Sequence, residues 1–192
     1  MKKLAMLLIL LIWCNANTQE NEQLSILEAD STWAKEIIKF PIDWAPKMTL
    51  TGFEELRFHK DWSNKENDGF WSLVIAWSIK ADAPLNVKTI ELNFDAYFDG
   101  LMKPNHWSSD FPDPNVLFIK NETDNEVYIG KMRLFDGFHT GNVIDINIVA
   151  QQHFCKSQKI SIIIFKLSPQ EIDHSIWETL DTIKLKSGAC DI

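Results

Sequence analysis

The clearest pattern in the chain lies in residues 70–79, FWSLVIAWSI. At the strand period of two, Trp71, Leu73, Ile75, Trp77 and Ile79 fall on one side, and Ser72, Val74, Ala76 and Ser78 on the other. Successive strand side chains point to opposite faces of a sheet. One face is therefore a wall of bulky apolar groups and the other a trough of mostly small ones. A run buried on both sides belongs in the middle of a sheet, which makes Trp71 and Trp77 scaffold tryptophans. The pattern leaves open which face meets which neighbour.

Upstream, Leu24, Leu27, Ala34, Ile37 and Ile38 fall roughly on one side of a helix, with Glu28, Lys35 and Glu36 elsewhere. This predicts an amphipathic helix that stops before Pro41, because a proline holds the preceding residue in extended geometry. Phe40, Ile42 and Trp44 alternate and predict a short strand ended by Pro46. Residues 53–58 predict a second strand after a turn at Gly52. The loop 60–69, KDWSNKENDG, is rich in turn formers and leads into the central strand.

Beyond residues 82–85 the period changes from two to 3.6. Val87, Ile90, Phe94, Tyr97, Phe98 and Leu101 share one face of a predicted helix, with Gly100 and Pro104 setting its end. Glu91, Asp95 and Asp99 recur every fourth residue off that face and read as a solvated stripe. Residues 103–115, KPNHWSSDFPDPN, contain three prolines, which excludes regular ladder pairing. Residues 116–119, 127–135, 143–150 and 160–167 are joined by short polar connections and predict an antiparallel meander. Ser168-Pro169-Gln170-Glu171 has the form of a capping box opening a last helix, with Ile172, Ile176, Leu180 and Ile183 as its buried stripe. Residues 182–186 fit a short final strand equally well. The expected fold class is α+β: a layered sandwich with a central, mostly antiparallel sheet and helices packed on it.

Pro41-Ile42-Asp43-Trp44, Gly52 with Phe58 six residues on, the loop to Gly69, the strong central strand, the helix, the meander and the closing segment 176–186 follow a familiar order. That order resembles the PsbP-like fold, named for an extrinsic protein of the photosynthetic oxygen-evolving complex. The likeness spans most of the chain beyond residue 16, although WSLVIAWSI carries more tryptophan than the usual pattern. The resemblance implies an accessory or adaptor protein without catalysis of its own, acting through surfaces on a partner.

Composition narrows the function classes. At 192 residues and 45% hydrophobic content, the chain suits one domain with a full core, here residues 24–192. Lys2 and Lys3 precede an apolar run over residues 4–13 that is too short to span a bilayer and reads as the core of a signal peptide, residues 1–16, cleaved after Ala16. The competing reading is a lipid anchor on Cys14, although Trp13 stands where such sites place a small residue. Either way the expectation is an exported protein, periplasmic or secreted, with a polar and mobile segment over residues 17–23. Loss of two lysines takes the formal charge from −8 to about −10. So acidic a chain disfavours nucleic acid, whose phosphates are neutralised by lysine and arginine, and equally anionic lipid. No other apolar run is long enough for a transmembrane segment. Cys155 and Cys190 are either a disulfide or two free thiols.

The chain has no G-x-S-x-G, H-E-x-x-H, P-loop or Rossmann pattern, and no cofactor motif. His153 and Cys155, two apart, have a spacing that can supply two metal ligands; the alternative is a strand-end histidine beside a disulfide cysteine. Adjacent Glu54 and Glu55 point to opposite faces of a strand and cannot cooperate as neighbours. Tryptophan in a polar loop is a more informative signal, since it can anchor a partner or stack on a ring. The binding candidates are therefore His59, Trp62, His106, Trp107, Asp110 and Asp113. They point first to a non-catalytic binding or accessory protein acting through loop surfaces on a protein or small ligand. The alternatives are a small hydrolase using His59, His106, Asp110 and Asp113, and a carbohydrate-binding module with Trp62 and Trp107 coplanar.

Overall fold

The computed structural model describes residues 24–103, 111–121, 123, 124 and 126–191. The expected signal peptide, Cys14, the segment 17–23, His106, Trp107 and Asp110 lie outside the described residues. The fold is a mostly antiparallel β protein with one long helix. Its strands are β1 (Leu27–Glu28), β2 (Ala34–Phe40), β3 (Gly52–Phe58), β4 (Leu73–Lys80), β5 (Asn115–Lys120), β6 (Val127–Phe135), β7 (Val143–Cys155), β8 (Ile160–Ser168) and β9 (Lys184–Leu185). The helices are α1 (Val87–Met102) and α2 (Ile176–Leu180). Seven strands form one antiparallel sheet in the order β2-β3-β4-β8-β7-β6-β5, and β1 pairs with β9 as a separate ribbon.

The central strand β4 lies between β3 and β8, as its two apolar faces require. Its wall belongs to the same hydrophobic cluster as Ile90, Phe94, Tyr97, Phe98 and Met102 of α1. Trp77 stacks among Phe94 and Phe165 at ring separations of 5.6 and 4.9 Å. Val74 and Ala76 of the trough pack instead with Ile26, Leu27, Ile176, Trp177 and Leu180. The bulky face thus meets the long helix, and the small-residue face admits the β1–β9 ribbon and α2.

Four sequence expectations are corrected. Residues 24–38 form no helix. After the short β1, residues 34–40 are an edge strand registered from Ala34 opposite Phe58 to Phe40 opposite Gly52. The β-branched pair Ile37–Ile38 suits that pleated surface, and Ile38 and Ile37 pack on opposite faces. The strand expected to run through Ile42 and Trp44 stops at Phe40; the chain then turns through Ala45 N–H to Ile42 O at 3.1 Å and Met48 N–H to Ala45 O at 2.9 Å.

Ser168 does not cap a helix. It ends β8, where its hydroxyl shares a 2.9 Å hydrogen bond with Ser72 Oγ and accepts from Gln170 N–H at 3.2 Å. The Glu171 carbonyl accepts from His174 N–H at 2.9 Å and from Trp177 Nε1 at 2.8 Å, closing a turn rather than a helix from 168. Helix α2 is accordingly one short turn, while residues 184–185 do form the alternative strand.

The acidic stripe on α1 is not a solvated face either: Glu91 and Asp99 are buried. Glu91 Oε1 accepts from Phe118 N–H at 2.9 Å and Asp95 Oδ1 from Val116 N–H at 2.8 Å. These carboxylates cap the outer edge of β5, whose open donors would otherwise invite pairing with another chain. Burial pushes the Asp95 carboxyl up to about 6 even against the Val116 hydrogen bond. Burial also acts to raise Asp99, but Lys103 at 2.6 Å and Lys47 at 3.2 Å outweigh it and hold that group below its ordinary value. The helix also runs past Gly100 to Met102. Glycine serves there for close approach, because a methyl group would collide with the Trp44 carbonyl oxygen.

On the other face, fully buried Glu55 accepts from the backbone N–H groups of Ile26 at 2.6 Å and Leu27 at 2.9 Å, from Ser25 Oγ at 3.1 Å and from Arg57 Nε at 2.8 Å. It joins the β1 segment to the sheet. Cys155 and Cys190 form a disulfide, so Cys155 is not available as a metal ligand beside His153. The bridge ties the C-terminal turn to the end of β7 across 35 residues of chain. Closing a loop of that length restricts the unfolded ensemble by about 3–4 kcal/mol. A Cys155→Ser/Cys190→Ser double variant should lose stability of that order in urea titration; a loss below about 1 kcal/mol would contradict this role.

Candidate functional site

On the helix side of the sheet, the rows contributed by β2, β3 and β4 do not close fully against α1. They leave a cavity of about 370 Å³, lined by Glu36, Ile38, Trp44, Leu56, Phe58, Trp62, Trp71, Leu73, Ile75, Tyr97, Phe98, Leu101 and Phe138. Leu56, Trp71, Leu73, Ile75, Tyr97 and Phe98 are buried and form its floor, while Glu36 and Phe138 are exposed at its rim. Strand alternation explains the floor: Leu56 and Ile75 are cross-strand partners, as are Phe58 and Leu73, and all four face α1.

Two loops complete the walls. The first, residues 59–72, is held by successive turns, including Asn64 N–H to Asp61 O at 2.9 Å, Asn67 N–H to Asn64 O at 3.0 Å and Phe70 N–H to Asn67 O at 2.9 Å. Its Asn67 side chain accepts from Gly69 N–H at 2.9 Å. The indole-bearing residues Trp62 and Trp71 are tied by their backbones, Trp71 N–H to Trp62 O at 2.9 Å.

Trp71 has φ of 49°, the left-handed region that bulky side chains avoid. Such geometry costs on the order of 1–3 kcal/mol and persists where surrounding packing dictates it, typically at ligand sites. The Trp71 indole N–H is also buried without a hydrogen-bond partner.

The second loop joins β6 to β7. Fully buried Asp136 organises it, accepting from Phe138 N–H at 3.0 Å, His139 N–H at 3.2 Å and Thr140 N–H at 2.8 Å. These bonds set Phe138 and His139 over the first loop: His139 meets Trp62 edge to face at 4.8 Å, and Phe138 lies 6.2 Å from Trp71. His139 Nε2 is likewise buried without a partner.

Behind the floor stands Glu54, fully buried on the α1 side of β3. Trp77 Nε1 donates to its Oε2 at 3.1 Å, and its Oε1 has no partner. Burial pushes its carboxyl up to about 8, against the opposing influence of Tyr97 and Trp77, and the charge of Glu36 adds to the rise. Glu54 is thus neutral at pH 7, on the opposite side of the strand from ion-paired Glu55.

The described sequence candidates separate. Trp62 lines the aromatic cavity. His59 lines a different depression of about 380 Å³ with Trp33, Lys60 and Glu178, its Nδ1 accepting from Asp61 N–H at 3.2 Å. Asp113 borders a third, of about 510 Å³, with Lys47, Asp95 and Asp99. Trp62 stands in a box of tilted and perpendicular rings rather than on a flat platform. Among the described residues no cluster of three or more His, Cys, Asp or Glu side chains could hold a metal ion, and no helix is long and apolar enough to cross a membrane.

Sequence reasoning missed Trp44, Trp71 and Phe138. The signal that selected Trp62, a large aromatic in a polar loop, is present at Phe138 in DGFHTGN. Trp71 carries no such signal, because in the sequence it continues the apolar alternation of residues 73–79, although the strand itself begins only at Leu73. Comparison with protein-family models, curated proteins and solved structures found no match.

Proposed function

We propose that this protein is an exported binding or accessory protein that takes an apolar, ring-bearing group into the aromatic cavity. The observation that carries the reading is the cavity wall: three tryptophans, a tyrosine and three phenylalanines on a rigid sheet, helix and two braced loops. Its volume falls at the small end of the range used for small-molecule sites, which are mostly apolar with few polar groups. The left-handed Trp71 and the unpartnered Trp71 and His139 nitrogens support it, because strain and unsatisfied buried groups concentrate where a ligand acts. The occupant is either a free molecule or a side chain offered by a partner, as the PsbP-like resemblance implies. In this reading the architecture is the layered α+β sandwich, with α1 as the layer that roofs the site.

The test is saturation-transfer NMR with a panel of small ring compounds, repeated on Ile38→Trp. That substitution adds an indole at the half-buried rim and removes cavity space. We expect saturable binding to the wild type and at least a tenfold loss in the variant. Absence of binding to the wild type, or equal binding by both, would sink the proposal.

A further inference from the structure

We propose that the group this cavity takes is a small organic cation, an ammonium carried on an apolar body. This rests on the cavity being a binding site, and it adds the sign of the ligand's charge. Among the described residues lining the cavity, Glu36 alone is charged, and neither lysine nor arginine contributes. Lys35 and Lys39, beside it in β2, fall on the other side of the strand by alternation.

The rings add to the potential of Glu36. An aromatic face is electron-rich and attracts a cation placed over it, tryptophan most strongly. Trp71 and Phe138 stand at 81° and 69° to Trp62, so the box has walls in more than one direction, as a compact ammonium group needs. An anion would meet Glu36 without a counter-charge, and a neutral ligand would leave the Glu36 charge unanswered.

The experiment uses the full chain and three probes of similar size: phenyltrimethylammonium, its uncharged isostere tert-butylbenzene, and benzoate, each titrated by ligand-observed NMR. We expect the cation to bind at least tenfold more tightly than tert-butylbenzene, and benzoate not to bind. Glu36→Gln, an exposed and structurally mild change, should weaken the cation three- to tenfold and leave tert-butylbenzene unchanged. If tert-butylbenzene matches or exceeds the cation, the charge assignment is overturned while the cavity still stands as a binding site. A cation preference untouched by Glu36→Gln also overturns it. Binding by none of the three overturns this inference and the binding-site reading together.

Discussion

Glu55→Ala is expected to lose about 3–5 kcal/mol of folding stability, the range found when one partner of a buried ion pair is removed. The substitution strands three kinds of group at once. The Arg57 guanidinium, in a residue only 9% exposed, loses its carboxylate. The N–H groups of Ile26 and Leu27 lose their acceptor, although each is fully buried. Ser25 Oγ loses one of its partners, leaving Lys186 Nζ at 2.9 Å and the distant Arg57 Nη2 at 3.5 Å. Unpaired buried donors each cost about 1–3 kcal/mol, so these losses reinforce the ionic one. Urea denaturation gives the magnitude. Hydrogen exchange gives the location: protection should fall first at Ile26, Leu27 and Lys186, in and beside the ribbon. A loss below 1 kcal/mol, or uniform exchange across the sheet, would show that Glu55 is not what holds the ribbon down.

Glu54→Gln should do the opposite and stabilise the protein at neutral pH by about 1–3 kcal/mol. The unfolded carboxyl titrates near 4.5 and the folded one near 8, so the folded state binds the proton more tightly. The contribution to stability is fully present below pH 4.5. It is lost progressively as pH rises toward 8 and is constant above that. Linkage sets the slope at about 1.4 kcal/mol per pH unit, which puts the cost of Glu54 at pH 7 on the order of 3 kcal/mol. Glutamine removes the titration but must bury its own amide, hence the smaller expected gain. Asp95, raised to about 6, contributes in the same direction at lower pH and remains in the variant. The check is the difference between wild-type and Glu54→Gln stability from pH 5 to pH 9. It should widen in favour of glutamine up to pH 8 and then level off. A difference independent of pH would rule out the buried neutral carboxyl.

The two glutamates show why adjacent positions with the same side chain have unlike roles. Strand alternation, legible in GFEELRF, assigns them to opposite faces. It does not say that one face brings Arg57, Ser25 and two free backbone donors, and the other Trp77, Tyr97 and an unpaired oxygen. Apart from Arg57 on the same strand, those partners come from distant segments, so only packing decides which glutamate is charged.

The aromatic cavity follows the same division. Trp62 was visible as a large apolar group among turn formers. Its companions were not, because Trp44 sits beyond a strand that ends early, Trp71 continues a core alternation and Phe138 comes from a hairpin 76 residues after Trp62. His59 and Asp113 shared the composition of a site but line separate depressions.

What residues 73–79 determined by themselves was a strand with two buried faces, and with it the centre of the sheet; residues 70–72, expected in the same strand, form a turn instead. Periods of two and 3.6 likewise determined β3, α1 and the β5–β8 meander, because burial of one face forces that repeat wherever local chain geometry is regular. Tertiary structure decided the rest. Pairing with β3 drew residues 34–40 into an edge strand against their helical spacing. The Glu171 carbonyl went to His174 N–H and the Trp177 indole, in a turn where a helix was expected from Ser168. The open edge of β5 recruited the carboxylates of α1, which turned an apparently solvated stripe into a buried cap. Each of these outcomes depends on a specific hydrogen-bonding partner, and hydrophobic periodicity carries no record of such partners.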